Sequence, residues 1–259
     1  MVKKILKIVL WVLTGAALVV MFFFGRNWYL NTPLKGVVFD LERQHPTGFV
    51  LKDTVIAEAE NLCDITHQTR IADINMMKLQ RMLDQNPWIE QSSAFIGLND
   101  TLIIQAKEYE PVLRVFNTDH QSIYVTAEGI SLPASKIYTP RILIANGNFN
   151  FPILKRSLPI SDSLYLGSGL EEALAIALSI QKDEFLKGNI GLIHKNKNNE
   201  YELSVNNLEA SVLLGDTCAV DTKLARLRIL LEKYIGTDEL NRYKTLNLRY
   251  KNQIVCTKK

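Results

Sequence analysis

The side chains most suited to catalysis or metal binding are far from one another in this sequence. Four histidines occur singly, and no two share the three- or four-residue spacing of a helical metal site: His45, His67, His120 and His194. No phosphate-binding loop, zinc-protease, nucleophile-elbow or dinucleotide-binding motif is present in the sequence. We therefore predict that the chain is not an enzyme, with no catalytic, metal-binding or cofactor-binding residues.

Two weaker patterns have simpler explanations than a site. A Gly-Ser-Gly segment, Gly167–Gly169, precedes a predicted helix, where backbone N–H groups can bind an anion. No phosphate-binding lysine accompanies it, so a turn at a helix start explains it better. Adjacent acids, Glu171-Glu172 and Asp183-Glu184, are typical of the solvated face of a helix and not of an acid–base pair held across a cleft.

The cysteines leave two alternatives open. Cys63, Cys218 and Cys256 have no short metal-ligand spacing. In an exported domain Cys218 and Cys256 could form a disulfide if their strands are neighbours, and three free thiols are the other interpretation.

The net charge is concentrated at the N-terminus. The formal charge of the 259-residue chain is +3, and the first 25 residues hold three lysines and no acid. The remainder therefore carries no net charge and gives no indication of a nucleic-acid-binding face.

An apolar segment follows these lysines. Residues 8–25, IVLWVLTGAALVVMFFFG, include no charged side chain, and with Ile5 and Leu6 they make a helix of roughly 30 Å, the thickness of a hydrocarbon core. The lysines predict that the short tail, residues 1–7, is cytoplasmic and that the bulk lies outside the cytoplasm. A cleaved signal peptide is the alternative; the long apolar run and the lack of a small-x-small cleavage site favour an uncleaved anchor.

Two domains are predicted beyond the anchor. Residues 35–110 give the order strand, helix, helix, strand, strand, with Asn99 and Asp100 as the turn of a hairpin. Residues 111–256 give a mixed α/β domain. Its first helix is predicted to begin at a capping box formed by Ser168 and Glu171 and to run to about Leu186.

The segment Tyr243–Cys256 alternates with the period of a strand. Its apolar residues share one parity: Leu246, Leu248, Tyr250, Ile254 and Cys256. We predict one long strand with a buried face and a free edge, followed by a tail at residues 257–259.

Three segments resemble the FtsQ/DivIB family of bacterial cell-division proteins. NPWIEQSSAFIGLNDTLIIQAKEYEPVLRV is similar to the hairpin and exit of the family's POTRA module, and IYVTAEGISLP to a turn of its second domain. VLLGDTCAVDTKLARLRILLEKYI, leading to LNLRY, is similar to the family's late helix and closing strand. Together they cover nearly the whole chain in the right order. The sequence departs from the family at Thr126 and Asn247, where the pattern has aspartates.

The resemblance implies an α+β fold: a single transmembrane helix, a POTRA-like βααββ module, and a β domain with a C-terminal edge strand. It implies a non-enzymatic divisome scaffold of the bacterial inner membrane that acts at the septum. Such a scaffold recruits the FtsB–FtsL pair and links it to septal peptidoglycan synthesis. The POTRA module and the transmembrane helix would contact other divisome membrane proteins.

The resemblance also implies a binding site for an FtsB-like partner, which adds a strand to the free edge. The implied residues lie on the closing strand and on the helix before it: Leu248, Arg249, Tyr250, Lys251, Gln253, Lys223 and Arg226. The alternative function is a POTRA-containing envelope transport or outer-membrane assembly factor, a class that normally carries repeated POTRA units or a barrel.

Overall fold

The computed structural model describes residues 2–43, 45–66, 69–234 and 239–259. It divides into two compact units. Unit 1 comprises Met1–Pro46 and Val50–Glu108, and unit 2 comprises Thr47–Phe49 and Tyr109–Lys259. The mixed α+β class is confirmed. The domain bounds proposed from the sequence, 35–110 and 111–256, stay predictions.

Unit 1 begins with a long apolar helix, α1 (Val2–Leu30). The most apolar window of 18 residues within Val9–Leu30 has a mean hydropathy of 2.0, and none of that window is buried against the protein. At 1.5 Å per residue these 22 residues extend about 33 Å, enough to cross a hydrocarbon core. The helix therefore fits a single-pass membrane anchor.

The rest of unit 1 is a three-stranded sheet covered by two helices. Its elements are β1 (Gly36–Glu42), α2 (Lys52–Leu62), α3 (Met76–Gln85), β2 (Ile89–Ile96) and β3 (Thr101–Glu108). β3 lies in the centre, parallel to β1 and antiparallel to β2. Apolar side chains of β1 and β3 pack with Leu79 and Leu83 of α3 in one core. This is the predicted order of strand, helix, helix, strand, strand.

Unit 2 contains a sheet of ten strands among the described residues. They are β4 (Pro111–Phe116), β5 (Ser122–Thr126), β6 (Ile130–Pro133), β7 (Leu143–Gly147), β8 (Leu158–Pro159), β9 (Ile190–Lys195), β10 (Tyr201–Val205), β11 (Ser211–Gly215), β12 (Tyr243–Asn247) and β13 (Val255–Lys258). Their order across the sheet is β13-β12-β11-β10-β9-β7-β4-β5-β6-β8. β4, β7 and β9 are mutually parallel, as are β11 and β12.

Three α-helices accompany this sheet in the described part of unit 2: α4 (Leu170–Gln181), α5 (Glu184–Asn189) and α6 (Val220–Tyr234). Alternate residues of the strands, such as Leu203, Val212 and Leu246, are buried in one core with apolar residues of α4 and α6. The apolar residues of the period-2 strand pattern and those of the helical pattern of α4 and α6 pack together in this core.

The predicted start and end of α4 are wrong. α4 begins at Leu170, and the Ser168 hydroxyl accepts a hydrogen bond from the Leu170 N–H, so Ser168 and Glu171 do not form a capping box. The helix ends at Gln181. A separate helix, α5, begins after the N-cap residue Asp183, whose side chain accepts hydrogen bonds from two backbone N–H groups. A second cap inside one apolar run divides the predicted helix in two.

The Gly-Ser-Gly turn before α4 packs against a buried lysine. Lys195 Nζ donates to the Ser168 carbonyl at 3.3 Å, and burial lowers the pKa of Lys195. The turn thus serves as a structural contact at a helix start.

The single long strand predicted over Tyr243–Cys256 is wrong. β12 ends at Asn247, the chain turns through residue Asn252 at a φ of 60°, and β13 returns antiparallel to β12. The neighbouring strand β11 ends at Gly215, two positions after its last pair, Leu213 with Asn247, so in that register it can accompany the closing strand no further than Arg249. The predicted tail at 257–259 belongs mostly to β13.

Candidate partner-binding site

The terminal hairpin, residues 243–258, forms one edge of the sheet in unit 2. It consists of β12, a connection at residues 248–254, and β13. Leu246 pairs with Cys256 and Asn247 with Val255. Leu246 and Leu248 are fully buried, so the hairpin is fixed to the core on one face.

Arg226 of α6 holds the connection of the hairpin. Its Nη1 donates to the carbonyls of Tyr250 at 2.7 Å and Gln253 at 3.0 Å, and its Nη2 lies 3.3 Å from the carbonyl of Leu248. A planar guanidinium can reach three carbonyls that no strand satisfies. Arg226 therefore has an internal positioning role; direct contact with a partner stays a prediction.

Arg249 lies across the surface of unit 2. Its Nη1 forms an ion pair with Glu200 Oε1 at 2.8 Å, and its backbone N–H and Nε donate to Asn247 Oδ1. The Arg249 side chain passes over Gly215, where a Cβ would come within 2.6 Å of Arg249 Cγ. Glu200 and Gly215 belong to this surface and were not found from the sequence, because they lie far from the hairpin along the chain.

Thr126 and Asn247, which stand where the family pattern has aspartates, each accept a local hydrogen bond. Asn247 Oδ1 accepts from the Arg249 N–H at 3.0 Å, and Thr126 Oγ1 accepts from the Ile130 N–H at 3.2 Å. A carboxylate oxygen could accept the same bonds, so each turn requires an acceptor and not a negative charge.

Lys223 is the least accessible of the predicted polar site residues. It is 6% exposed, and its Nζ donates to the Asp216 carbonyl at 2.9 Å and the Asp216 Oδ1 at 2.6 Å. This contact connects α6 to the turn after β11. A contact between Lys223 and a partner stays a prediction that its buried position does not favour.

The Asp216–Lys223 pair makes unit 2 sensitive to acid. The hydrogen bond from the Lys223 ammonium holds the pKa of the Asp216 carboxyl below its usual range. A lowered pKa adds stability that is complete above the ordinary value, about 3.9, and is lost as the pH falls through the lowered one. We expect the melting temperature of the protein, followed by near-UV circular dichroism, to fall less between pH 5 and pH 3 in Asp216→Asn than in the parent. An equal fall in both would contradict this assignment.

The remaining predicted residues face solvent. Tyr250 is 48% exposed, and Lys251 and Gln253 are exposed beside it in the connection. Residues 242–259 include six basic side chains and no acidic one: Arg242, Lys244, Arg249, Lys251, Lys258 and Lys259. Residues 242–259 are thus a basic segment, although residues 26–259 as a whole carry no net charge.

Other side chains of chemical interest do not gather. Within the described residues no group of three or more His, Cys, Asp or Glu could hold a metal ion. His194 Nδ1 lies 2.8 Å from Asn146 Oδ1, while His67 lies outside the described residues. Cys63, Cys218 and Cys256 are free thiols, the second of the two alternatives.

Comparison with known proteins identifies the family. A sequence model described as FtsQ/DivIB, C-terminal related, matches residues 110–257, which is more than half of the chain and extends from β4 into β13. No curated protein matches the sequence. The matched region includes α6, Arg226 and the terminal hairpin. The chain therefore belongs to the FtsQ/DivIB C-terminal related family, a family of non-enzymatic cell-division scaffolds.

Proposed function

We propose that this protein is a single-pass scaffold of the bacterial inner membrane that recruits an FtsB–FtsL-like pair at the division septum. Through that pair it would link to septal peptidoglycan synthesis. Unit 1 would act as a POTRA-like module that contacts other divisome membrane proteins. The family match supports a role in cell division, and the observation that carries the proposed recruitment is the open edge of β13.

Strand addition is supported by the direction of the backbone groups in β13. The Lys259 N–H donates to the Arg242 carbonyl across the hairpin. Because successive residues of a strand direct their N–H groups to opposite sides, Cys256 and Lys258 direct theirs away from β12. Such a row of groups can pair with an added strand. Lysines also protect edges against aggregation, so the edge needs a direct test.

The charge of the terminal hairpin indicates which kind of partner segment it would bind. The terminal hairpin, residues 243–258, has four basic and no acidic residues, so an added strand with Asp or Glu would be favoured and a basic one disfavoured. Lys251 lies exposed in the connection, and Arg249 could exchange Glu200 for a partner carboxylate. The partner we propose is therefore an acidic extended segment.

A proline at the free edge tests this directly. We expect Lys258→Pro to weaken binding of the FtsB–FtsL pair by about 10-fold, because it removes one outward N–H and blocks the approach of a strand. Proline is tolerated where an edge N–H faces solvent, so the hairpin should persist. The measurement is titration of the full-length protein in detergent micelles with the labelled pair.

Lys258→Ala is the matched control, since it removes the charge and keeps the N–H. We expect it to change the affinity by no more than about threefold, as for a solvent-exposed charge. Equal affinities of the proline variant and the parent would refute strand addition at β13.

A further inference from the structure

The tip of the β2–β3 hairpin in unit 1 exposes an apolar side chain with no role in the fold. The turn at residues 97–100 is closed by hydrogen bonds from the Gly97 N–H to the Thr101 carbonyl and from the Asp100 N–H to the Gly97 carbonyl. Leu98 stands at this turn with a relative exposure of 103%. Turns normally carry polar residues at such positions, so Leu98 adds apolar surface at the tip of the hairpin.

An apolar row on the open face of the same sheet lies next to this tip. Val38 pairs with Ile103, and Ile103 pairs with Phe95, so the three side chains stand side by side across the three strands. Val38 is 51% and Phe95 43% exposed. The next rows are polar, with Asp40, Gln105 and Ser93 and then Glu42, Lys107 and Gln91. The apolar surface is therefore restricted to the end of the sheet that carries Leu98.

This end of the sheet is also the end where the chain arrives from α1. Backbone hydrogen bonds connect the arriving segment to the rest of unit 1: the Ile71 N–H donates to the Thr32 carbonyl, the Leu34 N–H to the Thr69 carbonyl, and the Lys35 N–H to the Asp100 carbonyl. Lys35 lies five positions after Leu30 in the sequence, a distance of at most about 18 Å when the chain is extended. The hairpin tip is thus held close to the C-terminal end of α1.

The end of α1 lies at the depth of the lipid headgroups if the helix spans the bilayer. Val9–Leu30 is about 33 Å long against a hydrocarbon core of about 30 Å, and Trp28 and Tyr29 are typical of the membrane interface. Charge does not oppose an approach of the tip to anionic lipid, since Lys35 Nζ neutralises Asp100 at 3.0 Å.

We propose that the hairpin tip at residues 97–100, with the row of Val38, Ile103 and Phe95, is a second membrane contact, in which Leu98 enters the boundary between headgroups and acyl chains. The proposal rests on the membrane anchoring by α1 included in the proposed function. The contact holds unit 1 against the lipid surface, so that the open polar part of its sheet has a fixed orientation to the membrane.

The test is depth-dependent quenching of a fluorophore in the full-length protein. An environment-sensitive label is attached at Leu98→Cys in a chain whose three native cysteines are alanine, reconstituted in vesicles of phosphatidylethanolamine and phosphatidylglycerol. Gln91→Cys is the matched control, because it lies on the same face of β2 at the far end of the sheet. Phe23→Cys in α1 reports the anchor itself.

We expect nitroxide lipids to quench the label at position 98, and the ratio of lipid to iodide quenching to exceed that at position 91 by at least about threefold, as for a side chain at the interface. If iodide quenches the label at position 98 as strongly as the label at position 91, while nitroxide lipids still quench the label at position 23, the second membrane contact alone is overturned. Absence of lipid quenching at 23 overturns the anchor, and this inference with it. Protection of position 98 only after addition of other divisome proteins identifies a protein occupant and contradicts the lipid contact.

Discussion

Replacing Arg226 with methionine is expected to weaken binding of the FtsB–FtsL pair by about 10- to 30-fold, which corresponds to roughly 2 kcal/mol. The physical reason is the loss of three charge-assisted hydrogen bonds to the carbonyls of Leu248, Tyr250 and Gln253. Without them the connection between Tyr250 and Gln253 loses the hydrogen bonds that fix its path, and a partner strand must bind a less ordered target. The measurement is the same titration of the full-length protein.

Two variants separate this positioning role from a loss of charge or of helix α6. Arg226→Lys keeps the charge but cannot reach three carbonyls, so we expect most of the loss to remain. Arg228→Met removes a half-exposed arginine two residues further along α6, which forms ion pairs with the partly buried Asp183 and with the exposed Glu232. It should change affinity by no more than about twofold. An Arg226→Met protein with parental affinity would show that the hairpin is ordered without the arginine.

Replacing Gly147 with alanine is expected to destabilise unit 2 by at least about 3 kcal/mol. Gly147 ends β7 at a φ of 108°, a region that side-chain-bearing residues rarely adopt, and an added Cβ would overlap the Lys195 carbonyl oxygen of β9. That carbonyl accepts from the Asn148 N–H at 2.8 Å, so it cannot move away without breaking a further bond. Hydrogen exchange of β9 and β10 peptides in the full-length protein measures the effect.

Gly188→Ala is the matched control for this change. Gly188 lies in α5, where an added Cβ meets nothing within 4 Å and alanine is the better helix former. We expect exchange in the same peptides to be unchanged or slightly slower. Similar exchange in the Gly147→Ala protein and the parent would show that β7 and β9 can separate at this point without cost.

The alternation of apolar and polar residues predicted the elements well where a strand has neighbours along its whole length. Leu246 and Leu248 are buried as their parity requires, and the strand–helix–helix–strand–strand order of unit 1 follows from local periodicity. The pattern failed beyond Leu248, because the length of a strand also depends on the length of β11, which lies more than thirty positions earlier in the sequence.

The roles of the basic residues could not be read from their types. Lys223 and Arg226 occupy positions that suggest recognition, yet their donors are used by Asp216 and by the carbonyls of the hairpin. These acceptors come together only through the parallel crossover from β11 through α6 to β12. A sequence pattern indicates which face of an element is buried. It does not indicate which distant backbone carbonyl a charged side chain will contact.

The parallel pairing in the ten-stranded sheet has a kinetic consequence. Ile144 of β7 must find Leu192 of β9, and Leu213 of β11 must find Asn247 of β12, each after the closure of a long loop. Pairings of high sequence separation make folding slow and leave strand edges unpaired in the meantime. The β12–β13 hairpin forms between neighbouring segments of the chain, but its pairing with β11 joins residues that are far apart in the sequence. A newly made chain should therefore become able to bind the proposed partner only late in folding, when the crossover through α6 has closed.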